Sequence, residues 1–170
     1  MTNKMRDMLV EKVTVNMGVG SPGERLEYAK ELLQRLTNRK VVETKARRRE
    51  PVFKLRPGLP IGAKVTIRGK DALVFLDKAL AARKRTVSAN SFDDHGNFSF
   101  GIAEYIDFPG AKYDPKIGMF GFDVCITLTR PGKRVALRRI GSSKIGRNHR
   151  IKRDEALAFA KEKLGIKLTE

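Results

Sequence analysis

One stretch of the sequence has the spacing of a cofactor site: GVGSPG at residues 18–23 fits the pattern G-x-G-x-x-G between a predicted strand and a predicted helix. In dinucleotide-binding folds this pattern holds a pyrophosphate at a helix N-terminus, and an acid placed like Glu43 binds the ribose. The first strand of such a fold is buried on both faces and reads as a continuous apolar run. Thr14 and Asn16 interrupt that run here. We therefore favour a glycine turn that leads into a helix and keep a nucleotide-dependent enzyme as the alternative.

Other residue types that could do chemistry are sparse. His95 and His149 lie far apart and Cys125 is the only cysteine, so no metal-ligand spacing is present. We expect no metal, no cofactor and no catalytic residue, and we expect both histidines to be exposed. Five aspartates lie in turn-rich sequence, where this type usually bonds the backbone: Asp93, Asp94, Asp107, Asp114 and Asp123. For three phenylalanines that could stack on bases we favour packing within the protein: Phe92, Phe98 and Phe100.

The charge of the chain indicates a polyanionic partner. Its 36 Lys and Arg against 19 Asp and Glu give a net charge of +17 and a pI near 10.4. Such an excess repels itself, whereas neutralising nucleic-acid phosphates releases counterions and adds affinity. An anionic membrane is the rival partner, but no amphipathic basic helix, membrane-spanning run or signal peptide is evident. A single cysteine forms no intrachain disulfide, which fits a reducing compartment, and we expect a cytoplasmic protein. We also expect no small-molecule substrate.

The basic residues are clustered. Residues 39–56 hold eight cations against two acids, residues 130–153 hold ten cations and no acid, and a smaller cluster covers 83–85. A single cluster could be no more than a solvated face. Three clusters together are typical of a nucleic-acid footprint.

Alternating apolar residues predict strands at 13–19, 64–68 and 122–128, and a further short strand at 40–46. A basic loop rich in Pro and Gly, residues 47–62, joins the strand at 40–46 to the strand at 64–68. Residues 86–121 should be irregular, with short strands around FSFGI and YIDF. Residues 130–153 should form a flexible basic segment.

Three helices are predicted. The first has Ser21 as N-cap, Pro22 at its first position and Glu24 closing a capping box. The second covers residues 71–82, with Leu73, Leu76 and Leu80 as its core stripe. The third is capped by Asp154 and ends at Gly165.

These elements predict an α+β fold in one domain, residues 1–170, with a basic C-terminal extension from about residue 133. Alternating strands need one dry and one wet face, as in antiparallel sheets, and helices can cover the dry face. The wet face would then display short polar groups among cations, which suits base edges, 2′-hydroxyls and phosphates: Thr14, Asn16, Lys45, Lys64, Thr66 and Arg68. Cys125 could lie on this wet face.

Several long strings resemble one known family in order. They are VEKVTVNMGVG, LTNRKVVETKAR, FKLRPGLPIGAKVTIRG, SANSFDDHGNFSFGI and YIDFPGAKYDPKIGMFGFDVCITLTRPG. The resemblance covers residues 10–132 and is to the universal 5S-rRNA-binding family of the large ribosomal subunit, called L-five in bacteria and L-eleven in eukaryotes. The chain lacks the N-terminal helical extension of the bacterial relatives. It carries instead a basic tail that looks archaeal or eukaryotic.

The resemblance implies that the exposed sheet face holds a loop of 5S rRNA. Family contacts map to Asn16, Asn38 and Thr66, although bacterial relatives usually have Gln where this chain has Asn38. The expected RNA-binding set is Asn16, Asn38, Thr44, Lys45, Lys64, Thr66 and Arg68. The loop at 47–62 would face the elbow of P-site tRNA through Arg47, Arg48, Arg49, Lys54 and Arg56.

The resemblance also implies partners beyond 5S rRNA. These are large-subunit rRNA, a second 5S-binding ribosomal protein, and a protein of the small-subunit head that would contact residues 86–121. A non-specific basic chaperone of nucleic acids remains a further hypothesis, and it predicts equal affinity for unrelated RNA.

Overall fold

A five-stranded antiparallel sheet, in the order β2-β3-β1-β6-β5, forms the centre of the computed structural model, which describes residues 3–169. Its strands are β1 (Leu9–Gly18), β2 (Val42–Lys45), β3 (Pro60–Arg68), β5 (Phe98–Ile102) and β6 (Phe122–Thr129). A second sheet pairs β4 (Thr86–Ser88) in parallel with β7 (Lys167–Thr169). The helices are α1 (Glu24–Thr37), α2 (Lys70–Ala82), the one-turn α3 (Arg134–Leu137) and α4 (Arg153–Leu164). The predicted α+β class is confirmed.

Alternation along the strands gives the large sheet one dry and one wet face. Val13, Val15 and Met17 are fully buried, and Val65 and Val124 from the neighbouring strands are equally inaccessible. Helices α1 and α2 pack on this dry face. Each large apolar side chain buried in this way contributes about 1.5–3 kcal/mol.

The C-terminal part of the basic tail is anchored to the fold, whereas most of residues 134–150, within the segment predicted to be flexible, is exposed. Ile151 is 6% exposed and packs against Gly96, where an added Cβ would lie 2.6 Å from the Ile151 Cγ2. Behind it, Arg85 donates from its guanidinium to the Leu164 carbonyl at 2.9 Å. These long-range contacts hold helix α4 and strand β7 on the body of the protein.

Two predicted helix caps are wrong. Helix α1 begins at Glu24 after Gly23, which has a φ of 131°, and no side chain caps it, so Ser21 is not its N-cap. The backbone N–H groups of Val19 and Gly20 instead donate to the Ile61 carbonyl at 3.0 and 2.8 Å, which extends the sheet past β1.

Helix α4 begins after Lys152 rather than Asp154, and the Glu155 carboxylate accepts the Lys152 N–H at 3.0 Å. The predicted end at Gly165 is confirmed by its left-handed φ of 62°.

Other boundaries also differ. Strand β3 begins at Pro60, so the basic loop ends at Leu59 rather than at residue 62. FSFGI is a strand as predicted. The YIDF string instead forms a 3₁₀ turn, Tyr105–Asp107, whose first residue, Tyr105, is buried. In α2, Leu73 is 50% exposed because the buried stripe runs through Ala72, Phe75, Leu76, Ala79 and Leu80.

Candidate nucleic-acid interface

The wet face of the large sheet, called the open face below, presents its polar residues in rows. Lys64, Asn16 and Asp123 form one row across β3, β1 and β6, and the next row contains Thr66, Thr14 and Cys125. The third row contains Arg68, Lys12 and Thr127. The Cβ atoms of residues directly opposite one another in such rows are about 4.5–5.5 Å apart. The predicted residues Asn16, Lys64, Thr66 and Arg68 therefore form one surface.

The short polar side chains at the centre of the open face are free to bind. Within residues 3–169, the side chains of Thr14, Asn16 and Thr66 have no hydrogen-bond partner. Thr14 and Asn16 are half-buried between their neighbours, so little side-chain entropy remains to be lost on binding. An amide and two hydroxyls so placed can bond base edges and 2′-hydroxyls, while Lys64 and Arg68 meet phosphates.

Strand β2 places Thr44 and Lys45 at the border of the open face. Thr44 Oγ1 lies over Gly62, where an added Cβ would stand 2.7 Å from both Thr44 Oγ1 and the Met17 carbonyl. Lys45 is exposed and pairs with Pro60 beyond an irregularity in the register. Glycine at position 62 thus lets the two strands approach each other under the Thr44 hydroxyl.

Asn38 is separated from the other predicted RNA-binding residues. It ends helix α1 in the left-handed conformation, with a φ of 50°, and its N–H donates to the Gln34 carbonyl at 2.8 Å. It lines a groove beside Asp71 and Lys78 of α2, on the helix side of the sheet. Asn tolerates this conformation better than most residues, so a structural role explains its presence.

The basic loop, residues 46–59, extends the β2–β3 hairpin through further backbone hydrogen bonds. Ala46 donates to the Leu59 carbonyl at 2.8 Å, and Glu50 and Leu55 exchange backbone hydrogen bonds of 3.2 and 3.0 Å nearer the tip. All five predicted cations are exposed: Arg47, Arg48, Arg49, Lys54 and Arg56.

The tip of this loop also carries two apolar side chains that charge patterning missed, Val52 at 85% and Phe53 at 72% exposure. A lone aromatic between Pro51 and Lys54, outside any apolar period, was the signal available in the sequence.

Comparisons with known proteins identify the family. Residues 60–162 match the C-terminal region of the ribosomal L5 family, and residues 3–56 match ribosomal protein L5. The large ribosomal subunit protein uL5 of Sulfurisphaera tokodaii is 52% identical over 169 residues, covering 99% of this chain and 96% of that protein. The corresponding protein of Nanoarchaeum equitans is 50% identical over 169 residues, covering 99% of both. That of Sulfolobus acidocaldarius is 48% identical over 168 residues, covering 99% and 94%.

The chain belongs to the ribosomal protein L5 family. Because this is a family of ribosomal structural proteins, the chain is not an enzyme, and the dinucleotide hypothesis is wrong. The structure gives the physical reason: β1 pairs antiparallel on both sides, and its glycine turn bonds the Ile61 carbonyl. Glu43 faces α1 and pairs with Lys30, whose ammonium holds the pKa of that carboxyl below its ordinary value.

The remaining candidate residues of this L5-family chain have structural explanations. Cys125 lies exposed on the open face as predicted. Partial desolvation of its thiol by neighbouring groups, together with the charge of Asp123, raises the thiol pKa and disfavours the reactive thiolate. Phe92, Phe98 and Phe100 are buried, as predicted. His149 is half-buried, contrary to expectation, and its Nε2 bonds the Pro131 carbonyl at 2.8 Å.

Among residues 3–169, no cluster of His, Cys, Asp and Glu could hold a metal ion. None of the helices in that range is long and apolar enough to cross a membrane.

Proposed function

We propose that this chain is a structural constituent of the large subunit of the cytoplasmic ribosome, where it holds 5S rRNA on its open face. The observation that carries the proposal is the set of rows in which Asn16, Thr14 and Thr66, free of side-chain partners within the described residues, share one surface with the exposed cations Lys64 and Arg68. Membership of the L5 family supports the ribosomal setting. Cations supply affinity through phosphates, and the amide and hydroxyls supply selectivity through bases.

The basic loop suits a second RNA, the elbow of P-site tRNA. Its hairpin projects five exposed cations and places Phe53 at the tip, 72% exposed. An exposed aromatic ring among cations can stack on an unpaired base while the cations contact the backbone. The loop would thereby join the large subunit to tRNA.

Residues 86–121 suit a protein partner better than RNA. Ile106, Tyr113 and Met119 are exposed at 38%, 56% and 47%, and Tyr113 adjoins Asp114, which pairs with Arg35. Exposed apolar groups with a polar rim are typical of protein contacts. This region would face the small-subunit head, and a second 5S-binding ribosomal protein would adjoin the complex.

A competition experiment tests the proposal. The parent protein and the double variant Asn16→Ala/Thr66→Ala are titrated with 5S rRNA and with unrelated structured RNA of the same length, at physiological salt. We expect the parent to prefer 5S rRNA, and the double variant to lose about tenfold or more in 5S affinity because one buried polar contact is worth on the order of 1–3 kcal/mol.

Lys161→Gln, an exposed change on helix α4, is the matched control and should keep the preference. Equal affinity of the parent for both RNAs would favour a non-specific chaperone. Unchanged 5S affinity in the double variant would disprove the assignment of the open face.

A further inference from the structure

A cavity of about 480 Å³ opens where strand β6 leaves the sheet and enters the basic tail. We call it the tail cavity. Its wall combines the end of β6 (Thr127 and Thr129), the turn before β5 (His95) and the tail (Ile145 and Arg150). Its volume lies within the range of small-molecule sites, roughly 300–1,000 Å³. Thr127 belongs to the open face as well, opposite Lys12, so the cavity continues that surface.

The lining of the tail cavity is cationic. It includes three permanent cations and both histidines of the chain: Arg130, Lys133, Arg150, His95 and His149. Among residues 3–169, no carboxylate lines the cavity. Two of these cations are already paired: Arg130 with Glu155 at 3.0 Å, and Lys133 with Glu11. Arg150 is exposed and forms no ion pair within the described range. An anionic group that entered the cavity would therefore meet Arg150 as the cation most available to it.

The cavity is preorganised. The Arg130 side chain is only 8% exposed and is held by Glu155 and by the Arg150 carbonyl at 3.4 Å, while its buried Nε has no partner among the described residues. Elsewhere in the lining, the His149 Nε2 donates to the Pro131 carbonyl at 2.8 Å, which leaves Nδ1 available. A ligand that entered would meet polar groups already fixed in position, which reduces the entropic cost of binding.

The cavity also has an apolar wall, formed by Leu128, Ile145 and Ile151. Leu128 and Ile151 are 4% and 6% exposed and belong to the protein core, so this wall is rigid. A free phosphate would leave that wall covered only by water. A ligand with a flat apolar ring and a phosphate matches both walls, and an unpaired nucleotide has this composition.

We propose that the tail cavity binds one unstacked nucleotide of an RNA strand that crosses the open face. The inference rests on the proposed RNA-binding function and deepens it. The phosphate would contact Arg150, and the base would lie against Ile145, the most accessible residue of the apolar wall. The basic tail would then add a defined nucleotide site to the sheet surface.

The test is an NMR titration of the full chain with each of the four nucleoside 5′-monophosphates and, separately, with inorganic phosphate. We expect saturable shifts at Thr127, Thr129 and Ile145, with a dissociation constant in the millimolar range or below, and weaker binding of phosphate. Arg150→Gln should weaken mononucleotide binding about tenfold because it removes a charged hydrogen-bond donor.

Two further variants separate the parts of the site. Ile145→Ser should weaken nucleotides several-fold and leave phosphate unchanged, because it alters only the apolar wall. Arg139→Gln removes the same charge from an exposed tail residue outside the lining and should bind as the parent does. Folding of each variant is checked from the amide spectrum.

Absence of saturation by about 20 mM for all four nucleotides would overturn the inference, since it corresponds to negligible affinity. Equal binding of phosphate and nucleotides, or equal weakening in Arg139→Gln and Arg150→Gln, would overturn it as well. Failure here with intact 5S selectivity of the open face would leave the proposed function standing. Loss of that selectivity with intact mononucleotide binding would disprove the proposed function of the open face and support the nucleotide site in the tail cavity.

Discussion

The open face and the basic loop share strand β3 but present their binding groups in different ways. On the open face, Thr14 and Asn16 are half-buried and fixed by the strand register. In the loop every cation is exposed, and backbone hydrogen bonds at Ala46 and Glu50 link the two arms of the loop. Rigid short polar groups can discriminate between bases, whereas exposed cations mainly add salt-dependent affinity. A sheet and the hairpin that extends it can therefore separate selectivity from attraction.

The largest effect on stability should come from crowding the close contact between strands β1 and β3 at Gly62. Gly62→Ala places a Cβ 2.7 Å from the Met17 carbonyl and Thr44 Oγ1, so strands β1 and β3 must separate. We expect the free energy of unfolding to fall by about 3 kcal/mol, as for an overpacked core. Urea unfolding would measure it. Gly146→Ala is the control, since an added Cβ there meets nothing within 4 Å, and an equal decrease in both variants would contradict the prediction.

The tip of the loop should matter for tRNA and not for folding. Phe53→Ala should weaken binding of tRNA to large subunits reconstituted with the variant by about 1–3 kcal/mol, the usual effect of removing a stacked base's aromatic partner. Because Phe53 is 72% exposed, unfolding should change little. Phe53→Trp keeps a stacking surface and should bind as the parent does. Equal binding by the alanine variant would exclude stacking.

Salt dependence distinguishes the two regions directly. Arg48→Gln/Arg49→Gln in the loop should lower the slope of log affinity for tRNA against log salt by about two, one for each phosphate that no longer meets a cation. Asn16→Ala should lower 5S affinity and leave the slope for 5S rRNA unchanged, because no cation is removed. Affinities measured from about 50 to 200 mM salt give both slopes. An unchanged slope in the loop variant would show that its arginines do not contact phosphate.

The sequence was most informative where the pattern is local. Alternation over VTVNMGV and FDVCITL predicted both the strands and the face on which Asn16 and Cys125 lie, because a strand has a fixed period of two. A helical stripe is less certain in phase, and Leu73 is exposed although Leu76 and Leu80 are buried.

Features that depend on distant contacts could not be predicted. The tail is held by the packing of Ile151 against Gly96, 55 positions away in sequence. Asn38 lies on the helix side because α1 ends beside α2, which no local pattern indicates. The tail cavity is lined by both His95 and His149, whose separation in sequence had argued only against a metal-ligand spacing.

The smallest effect concerns the link between the open face and the tail, which Glu11 provides through Lys133 and through Arg68 at 3.5 Å. Burial alone would raise the pKa of Glu11, but the hydrogen bonds and charges of Lys133 and Arg68 hold it below its ordinary value. A depressed pKa in the folded state adds stability above the unfolded pKa, about 4.3, and this stability is lost as the pH falls through the folded pKa. Glu11→Gln should therefore reduce the free energy of unfolding at pH 7 by no more than about 1 kcal/mol.

The same substitution should make less difference at a pH near 2 than at pH 7, because the parent carboxylate gains its proton as the pH falls through the folded pKa. Urea unfolding at both pH values measures the two differences, with Glu162→Gln, an exposed helix residue without an ion pair among residues 3–169, as the control. If Glu11→Gln and Glu162→Gln reduced stability equally at pH 7, net charge rather than the link would be responsible. A decrease confined to Glu11→Gln and to neutral pH would show that the carboxylate holds the tail, and with it the Lys133 wall of the tail cavity, against the open face.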